Sequence, residues 1–132
     1  MTDKATSMVR IADPKDAPKV CVHAFNTGDI DGLANLFEPE AMIILPPGQI
    51  VRGSAEIREV FTQIPATWKR WEIKLISHHR VGDIALNTVE HTLYSDDPDS
   101  SPNTLSLRAA VVFRRQADGS WRFLIDNGSP FE

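Results

Sequence analysis

The spacing of apolar residues changes once along the chain, from helical intervals in the first half to alternation in the second. In the first half, apolar residues recur three or four positions apart, as they do on one face of a helix. This spacing predicts a first helix over 15–27 and a second over 30–37, with Phe37 ending the buried face of the second. A third helix is predicted over 55–64, ended by Pro65.

Apolar and polar residues alternate in the second half, which is typical of strands with one buried face. An earlier apolar run before a Pro-Pro-Gly turn predicts one more strand with a brief return. The predicted strands, in chain order, are 41–45, 49–52, 67–80, 84–94, 104–115 and 120–127. Strands joined by short turns pair antiparallel. The sequence therefore predicts an α+β fold, with three helices on one face of a curved, mostly antiparallel sheet.

Composition limits the class of protein. The chain has 132 residues, 42% of them hydrophobic and 24% charged, which suits a single domain over 1–132 with a tail or arm at 1–12. The net charge of −4 argues against nucleic acid as a partner, because phosphate binding needs a basic surface. No apolar run approaches the length of a signal peptide or a membrane helix, so we expect no membrane association. Cys21 is the only cysteine, and a cytoplasmic location is expected.

Residues 24–61, and with them most of residues 15–128, resemble the ketosteroid isomerase branch of the nuclear transport factor 2-like superfamily, which includes the SnoaL-like polyketide cyclases. The matching positions are Gly28-Asp29, Asp31-Gly32, Leu36-Phe37, Glu40-Ala41, Pro46 with Gly48, Arg52-Gly53, Ile57-Arg58, Asp118-Gly119 and Trp121-Arg122. The resemblance implies a cone, in which a bent sheet curls around the helices and leaves an apolar pocket. Relatives include isomerases, cyclases, dehydratases, epoxide hydrolases and proteins that only bind or assemble. Many are homodimers joined through the outer sheet face.

The residues of the steroid isomerase mechanism are not retained. The resemblance assigns the catalytic base to the position of Leu45, the oxyanion tyrosine to Cys21 and the protonated aspartate to Val111. None of these three side chains can take that role, since the mechanism needs a carboxylate base and acidic hydrogen-bond donors. Steroid isomerisation by that mechanism is therefore rejected.

Alternate residues of the predicted strands should face the cone pocket. On 104–115 these are Leu107, Ala109, Val111 and Phe113. On 120–127 they are Arg122, Leu124 and Asp126, and on 84–94 they are Leu86, Thr88, Glu90 and Thr92. A shift of one residue in 84–94 would turn His91 inward instead of Glu90. The expected pocket lining is Cys21, Phe25, Leu45, Phe61, Trp68, Leu107, Ala109, Val111 and Leu124.

Asp126 is the candidate acid or base, because burial in an apolar cone would raise its pKa toward the range used in proton transfer. The alternative, weighed equally, is that Asp126 only shapes the turn that follows at 127–128. Glu90 or His91 could supply a second proton-transfer group. Adjacent His78 and His79 point to opposite faces of a strand, so no metal site is predicted, and no cofactor.

Three functions remain open from the sequence. The first is a homodimeric protein whose apolar pocket binds a small hydrophobic molecule. The second is a cyclase, isomerase or lyase that uses Asp126 with His91 or Glu90. The third is a non-catalytic assembly module whose pocket is filled by its own side chains. Whether the protein is an enzyme is not decided by the sequence.

Overall fold

The computed structural model describes residues 9–128, which form three α-helices and one six-stranded sheet. A short 3-10 helix, Pro14–Asp16, precedes helices α1 (Ala17–Asn26), α2 (Ile30–Ala34) and α3 (Gly53–Thr67). The strands are β1 (Phe37–Leu45), β2 (Gln49–Arg52), β3 (Arg70–Val81), β4 (Ile84–Tyr94), β5 (Thr104–Arg115) and β6 (Trp121–Asn127).

The sheet has the strand order β2-β1-β6-β5-β4-β3. Among the described strands, only the β1–β6 pair is parallel, and every other neighbouring pair is antiparallel. The sheet curves around the helices without closing, so the predicted α+β cone is confirmed. The predicted strands 84–94 and 104–115 match β4 and β5 at both ends.

The helices close one side of this curved sheet. The buried face of α1 packs against β3, and α3 packs against β1. Asp29 caps α2, since its Oδ1 accepts a hydrogen bond from the Gly32 amide at 2.8 Å. The hydrophobic core therefore lies between the concave face of the sheet and the helices, with Leu33 and Ile57 fully buried in it.

The predicted end of the second helix is wrong, because α2 ends at Ala34 and Phe37 begins β1. Phe37 pairs with Phe123 in the parallel ladder, and their rings stack with centroids 4.4 Å apart. The Phe123 amide also donates to the Leu36 carbonyl at 2.8 Å. Pairing with a strand 86 residues later thus overrides the helical spacing of the local sequence, which contains no sign of it.

The predicted end of the third helix is also wrong, since α3 continues through Pro65 to Thr67. Proline removes one intrahelical hydrogen bond, but near the end of a helix little of the ladder is lost. The Trp68 amide still donates to the Ile64 carbonyl at 2.9 Å, which completes the final turn. The helix therefore extends one turn closer to the mouth of the cone than the sequence predicts.

The predicted tail or arm at 1–12 is described only in part, because residues 1–8 lie outside the described residues. Ile11 is completely buried and forms an isolated bridge with Trp121, whose amide donates to the Ile11 carbonyl at 2.8 Å. This segment packs on the edge of the core. In the described part of the chain, no helix has both the length and the apolar character needed to cross a membrane.

Candidate functional site

A row of inward-facing residues crosses the concave face of the sheet at the same height. Asn87 on β4 is opposite Val111 on β5, Val111 is opposite Asp126 on β6, and Asp126 is opposite Ile43 on β1. Above this row lies an inner cavity of about 150 Å³, closed by residues of α1 and α3. Its walls are almost entirely apolar, and within residues 9–128 Asp126 is their only carboxyl group.

The inner cavity continues into a wider and more open outer chamber of about 860 Å³ at the mouth of the cone. The two spaces share several wall residues, namely Leu45, Pro46, Val60, Ile64, Leu93, Leu107 and Gly128. The outer chamber adds polar side chains such as Gln49, Gln63 and Arg108. The site therefore grades from an apolar interior to a polar entrance.

Most of the residues predicted to line the pocket do line the inner cavity: Cys21, Leu45, Phe61, Leu107, Ala109 and Val111. Trp68 lies instead in the outer chamber. The prediction that Phe25 lines the pocket is wrong. Its ring packs away from the cavity in a T-shaped contact with Trp71, at a centroid distance of 5.5 Å. The three vacant isomerase positions thus all face the cavity.

The prediction that Leu124 lines the pocket is also wrong, because β6 contains a bulge. Phe123 pairs with Phe113 and Ile125 pairs with Val112, so Leu124 has no partner between them. The extra residue reverses the alternation within the strand. Phe123 and Asp126 therefore both face the cavity, whereas the predicted inward residues Arg122 and Leu124 do not line it.

The alternation of β4 is shifted by one residue from the main prediction. Asn87, Val89, His91 and Leu93 line the cavity, so Glu90 lies on the outer face of the sheet. There its carboxylate is 3.9 Å from the guanidinium of Arg108. Glu90 is therefore too far from the cavity to act as an acid or base there. His91 faces inward instead, which is the alternative that the sequence left open.

Asp126 lies within β6, which runs on to Asn127, so it does not shape the turn that follows. Among the described residues, no side chain or backbone group donates a hydrogen bond to its carboxyl group. Asp126 is half-buried and lines the cavity. Burial raises the pKa of Asp126 to about 6, because an ionised carboxylate is poorly solvated there. The group is therefore able to hold or release a proton near neutral pH.

His91 is held as a neutral imidazole. The Trp71 indole Nε1 donates a hydrogen bond to His91 Nδ1 at 3.0 Å, and the two rings stack with centroids 5.6 Å apart. Because indole can only donate, Nδ1 carries no proton and the neutral ring has its hydrogen on Nε2. Burial lowers the pKa of His91 to about 4. His91 therefore acts as a hydrogen-bond donor through Nε2 at neutral pH.

Cys21 adds no nucleophile to the site. Burial raises the pKa of its thiol far above the usual range, and the negative charge of Asp126 adds to this effect. A thiol that stays protonated reacts poorly, since the thiolate is the reactive form. Cys21 is thus a small apolar wall residue close to Asp126.

Asp126 and His91 meet an occupant at different points. His91 lies four residues beyond Asn87 along β4, which is about 13 Å of strand, whereas Asp126 shares the row of Asn87 two strands away. The curl of the sheet shortens the distance across the cavity, but the side chains do not hydrogen-bond to each other. The pair is therefore suited to contacting two ends of one molecule.

Asn87 is a site residue that the sequence analysis missed. It is completely buried, its Nδ2 donates to the Pro14 carbonyl at 2.9 Å, and its Oδ1 lies 2.8 Å from His78 Nδ1. The sequence feature that could have identified Asn87 is a polar amide two residues from Ala85 and from Val89, in an alternating apolar series on β4. Through Asn87, His78 helps to hold the 3-10 helix to the sheet. The described residues contain no cluster of side chains that could hold a metal ion.

The model of the SnoaL-like domain family matches residues 21–123 of the chain, which is more than three quarters of its length. No match was found among the curated proteins.

Solved structures share the fold at low sequence identity. A ketosteroid isomerase-like protein from Erwinia carotovora atroseptica has a TM-score of 0.62 at 17% identity, with 81% of this chain and 85% of the other covered. A candidate dehydratase of the nuclear transport factor 2-like family from Streptomyces avermitilis has a TM-score of 0.62 at 20% identity, with 80% and 85% covered.

A third neighbour, from Catenulispora acidiphila, has a ketosteroid isomerase-like fold and was solved in complex with trimethylamine. Its TM-score is 0.58 at 13% identity, with 80% of this chain and 78% of the other covered. A candidate calcium/calmodulin-dependent protein kinase type II association domain from Thiobacillus denitrificans has a TM-score of 0.65 at 19% identity, with 83% and 91% covered. At these identities, the neighbours establish the fold alone.

Proposed function

Because this chain belongs to the SnoaL-like domain family, we propose that its inner cavity binds a small, largely apolar organic molecule whose polar group meets Asp126. The observation that carries the proposal is a buried carboxyl group without a hydrogen-bond partner among the described residues, in the wall of an apolar cavity. A buried polar group without a partner is costly, and a ligand that supplies one removes the cost. The binding of trimethylamine by a neighbour of similar fold supports a small occupant.

The size of the cavity limits the occupant. A volume of about 150 Å³ is close to that of cavities that accept benzene. A single ring therefore fits the inner cavity, whereas a four-ring steroid has room only if most of it extends into the outer chamber. Phe25 packs against Trp71, Trp68 lies in the outer chamber, and Phe61 lines the cavity without filling it, which weighs against an assembly module with a plugged pocket.

The test is a thermal-shift series with single-ring compounds such as phenol, benzaldehyde and indole, and with a steroid. A ligand that binds only the native state raises the melting temperature. Single-ring compounds should raise it, and the steroid should raise it less. The Ala109→Val variant narrows the cavity and should lose these shifts, whereas Ala110→Val, on the outer side of the same strand, should keep them. No shift with any single-ring compound would refute the binding function.

A second function, acid–base catalysis, is favoured by the same carboxyl group. An ionised Asp126 could accept a proton from a carbon next to a carbonyl group. It would return the proton elsewhere on the same molecule in an isomerase, or give it to the group that leaves from the neighbouring carbon in a lyase. His91, farther along the cavity, would instead donate a hydrogen bond from Nε2 to a polar group at the other end of the molecule. Val111, at the position of the isomerase's protonated aspartate, is the cross-strand neighbour of Asp126, so a carboxyl group lies one strand away from that position.

The catalytic hypothesis is tested on single-ring ketones that bind the protein, by following exchange of their α-protons for deuterium by NMR. Asp126→Asn should reduce the exchange rate by at least about 100-fold, the usual contribution of a general base. His91→Gln should reduce it less. Equal rates for the wild type and the Asp126→Asn variant would remove catalysis by this residue while leaving the binding function intact.

We also propose that two copies pair through the outer face of the sheet. Leu86 on that face is 40% exposed and is followed across the strands by Val112, Ile125 and Met42. A continuous apolar strip of this kind is typical of interaction sites. The naming of one structural neighbour as an association domain supports assembly through this fold. The cytoplasmic location expected from the lone cysteine stays a prediction.

Light scattering after size-exclusion chromatography tests the pairing. The wild type should elute with twice the mass of the chain, 14.7 kDa. Leu86→Lys should produce a monomer, because it places a charge on the most exposed residue of the strip. Leu105, with a similar exposure of 37%, lies at the mouth of the cone, so Leu105→Lys serves as the control and should leave the dimer unchanged. A monomeric wild type would contradict the proposal.

A further inference from the structure

Resting on the proposed binding function, the geometry points to a protonated amine as the polar group of the occupant. We propose that the ammonium group of a small amine pairs with the Asp126 carboxylate while its hydrocarbon part fills the inner cavity. The class of ligand is therefore a single-ring or similarly small organic cation, rather than a neutral alcohol or ketone.

The charges around Asp126 favour a cation. Among the described residues, no Lys or Arg side chain lines the inner cavity. The other titratable groups that face the space are Cys21 on α1, which stays a neutral thiol, and His91 on β4, which stays a neutral imidazole near pH 7. In the part of the chain that the structure describes, the carboxylate of Asp126 is thus the only charge in the cavity wall at that pH, and no cationic side chain there offsets it.

Two arginines of β5, the strand next to Asp126, have carboxylate partners of their own. Arg108 lies at the outer chamber and faces Glu90 on the outer side of the sheet. Arg114 forms a two-point hydrogen bond with Glu38, at 2.8 and 2.6 Å. An ion pair in a site of low polarity is much stronger than one in water. The missing positive charge is therefore best supplied by the ligand.

Aromatic faces around the cavity suit an organic cation as well. Among the described residues, five Phe and Trp side chains line the space: Phe37, Phe61, Trp71, Phe113 and Phe123. Their rings are held by mutual stacking, for example Phe113 against Phe123 with centroids 4.6 Å apart. The negative face of an aromatic ring attracts ammonium groups and the polarised carbon atoms attached to them. A carboxylate combined with such rings distinguishes an amine from a neutral molecule of the same shape.

The matched probes are benzylamine and benzyl alcohol, which differ in charge but hardly in size. Isothermal titration calorimetry on the full chain at pH 7.5 should show that benzylamine binds at least about 10-fold more tightly, which corresponds to roughly 1.4 kcal/mol. The preference should be lost in Asp126→Asn, which keeps the shape of the side chain and removes its charge. Binding of benzyl alcohol by this variant should change little.

The pH dependence on the wild type gives a second readout that needs no variant. Asp126 is the group in the cavity that titrates between pH 5 and 7.5, since the pKa of His91 is about 4 and the thiol of Cys21 stays protonated. Only about a tenth of Asp126 is ionised at pH 5, so benzylamine should bind roughly 10-fold more weakly there than at pH 7.5. Benzyl alcohol should not show this loss.

The outcomes separate the two proposals. Benzyl alcohol binding as tightly as benzylamine at pH 7.5 would overturn the amine inference and leave the binding function standing. Absence of binding by either probe would overturn both. An amine preference that survives at pH 5 and in Asp126→Asn would show that another group carries the selectivity, which also overturns the role given to Asp126.

Discussion

At the scale of single residues, Asp126 destabilises the fold that holds it. Its raised pKa means that the folded state prefers the protonated form. The penalty for ionisation is absent below the ordinary pKa of 3.8, grows as the pH rises, and is fully present above about 6. A residue that costs stability at neutral pH and has no partner among the described residues is typical of a functional site.

Replacing Asp126 by asparagine should therefore stabilise the protein. At pH 7.5, Asp126→Asn should raise the free energy of unfolding by roughly 1–3 kcal/mol, the scale of a shift from 3.8 to about 6. At pH 4 the gain should be close to zero, because the folded wild type is then protonated. Urea denaturation at the two pH values measures both. A variant that is less stable than the wild type at pH 7.5 would contradict the description of Asp126.

His91 should act with the opposite sign. Its pKa is lowered from 6.5 to about 4, so its contribution to stability is present above pH 6.5 and is lost as the pH falls toward 4. His91→Gln should remove this loss while its amide oxygen keeps the hydrogen bond from Trp71. Between pH 7 and 4, the wild type should lose roughly 1–3 kcal/mol more than the variant.

The comparison between variants isolates His91, because Asp126 titrates in an overlapping range and is present in both proteins. His79→Gln is the matched control, since His79 is an exposed histidine on β3. Its denaturation curves should follow those of the wild type at every pH. If the free energy of unfolding had the same pH dependence in His91→Gln as in the wild type, burial of His91 would not be affecting stability.

At the scale of elements, the alternation of apolar residues was sufficient to predict β4 and β5 and the inward set on β5. It failed where the pattern is interrupted. The bulge at Leu124 reverses the face of β6, and β4 carries both polar and apolar residues on each face, so Glu90 and His91 could not be told apart. The end of α2 was missed because the parallel pairing of β1 with β6 is a long-range contact.

The parallel β1–β6 pair is reinforced on the outer side of the sheet by Glu38 at the start of β1. Its carboxylate is 8% exposed and accepts hydrogen bonds from Arg114 on β5 and, at 2.9 Å, from Gln116. The hydrogen bond from Arg114 is the main reason that the pKa of Glu38 lies below its usual range. Removing Arg114 would leave a buried carboxylate without its principal partner.

Arg114→Leu should therefore lower the melting temperature at pH 7, by on the order of 5 °C. Arg115→Leu is the matched control, because Arg115 pairs with Asp83, whose side chain is 60% exposed, and exposed ion pairs contribute little. Its melting temperature should stay within about 2 °C of the wild type. Adding Glu38→Gln to Arg114→Leu should recover part of the loss, and equal losses for the two arginine variants would contradict this account.

At the scale of the whole molecule, the cone keeps a space that packing alone would close. A volume of about 150 Å³ that protein atoms do not fill costs about 3–4 kcal/mol at the usual cost per unit of cavity volume. That is a large part of the 5–15 kcal/mol by which domains are stable. The family resemblance and the fold could be predicted from turns and caps in the sequence. The presence of this cavity could not, because it depends on how the side chains of five strands and two helices meet, and no local sequence pattern encodes that.

Filling the cavity should exchange binding for stability. Ala109 is 1% exposed and faces the cavity from the middle of β5, so Ala109→Val places two more carbons in unfilled space and should raise the free energy of unfolding by about 1 kcal/mol. The same change should lower the affinity for single-ring ligands at least about 10-fold, because the ligand and the new methyl groups occupy the same volume. Ala110→Val, on the outer face, should alter neither ligand binding nor stability by more than about 0.5 kcal/mol. Denaturation and calorimetry on the two variants measure both effects, and a variant at Ala109 that binds as the wild type does would place the ligand outside the inner cavity.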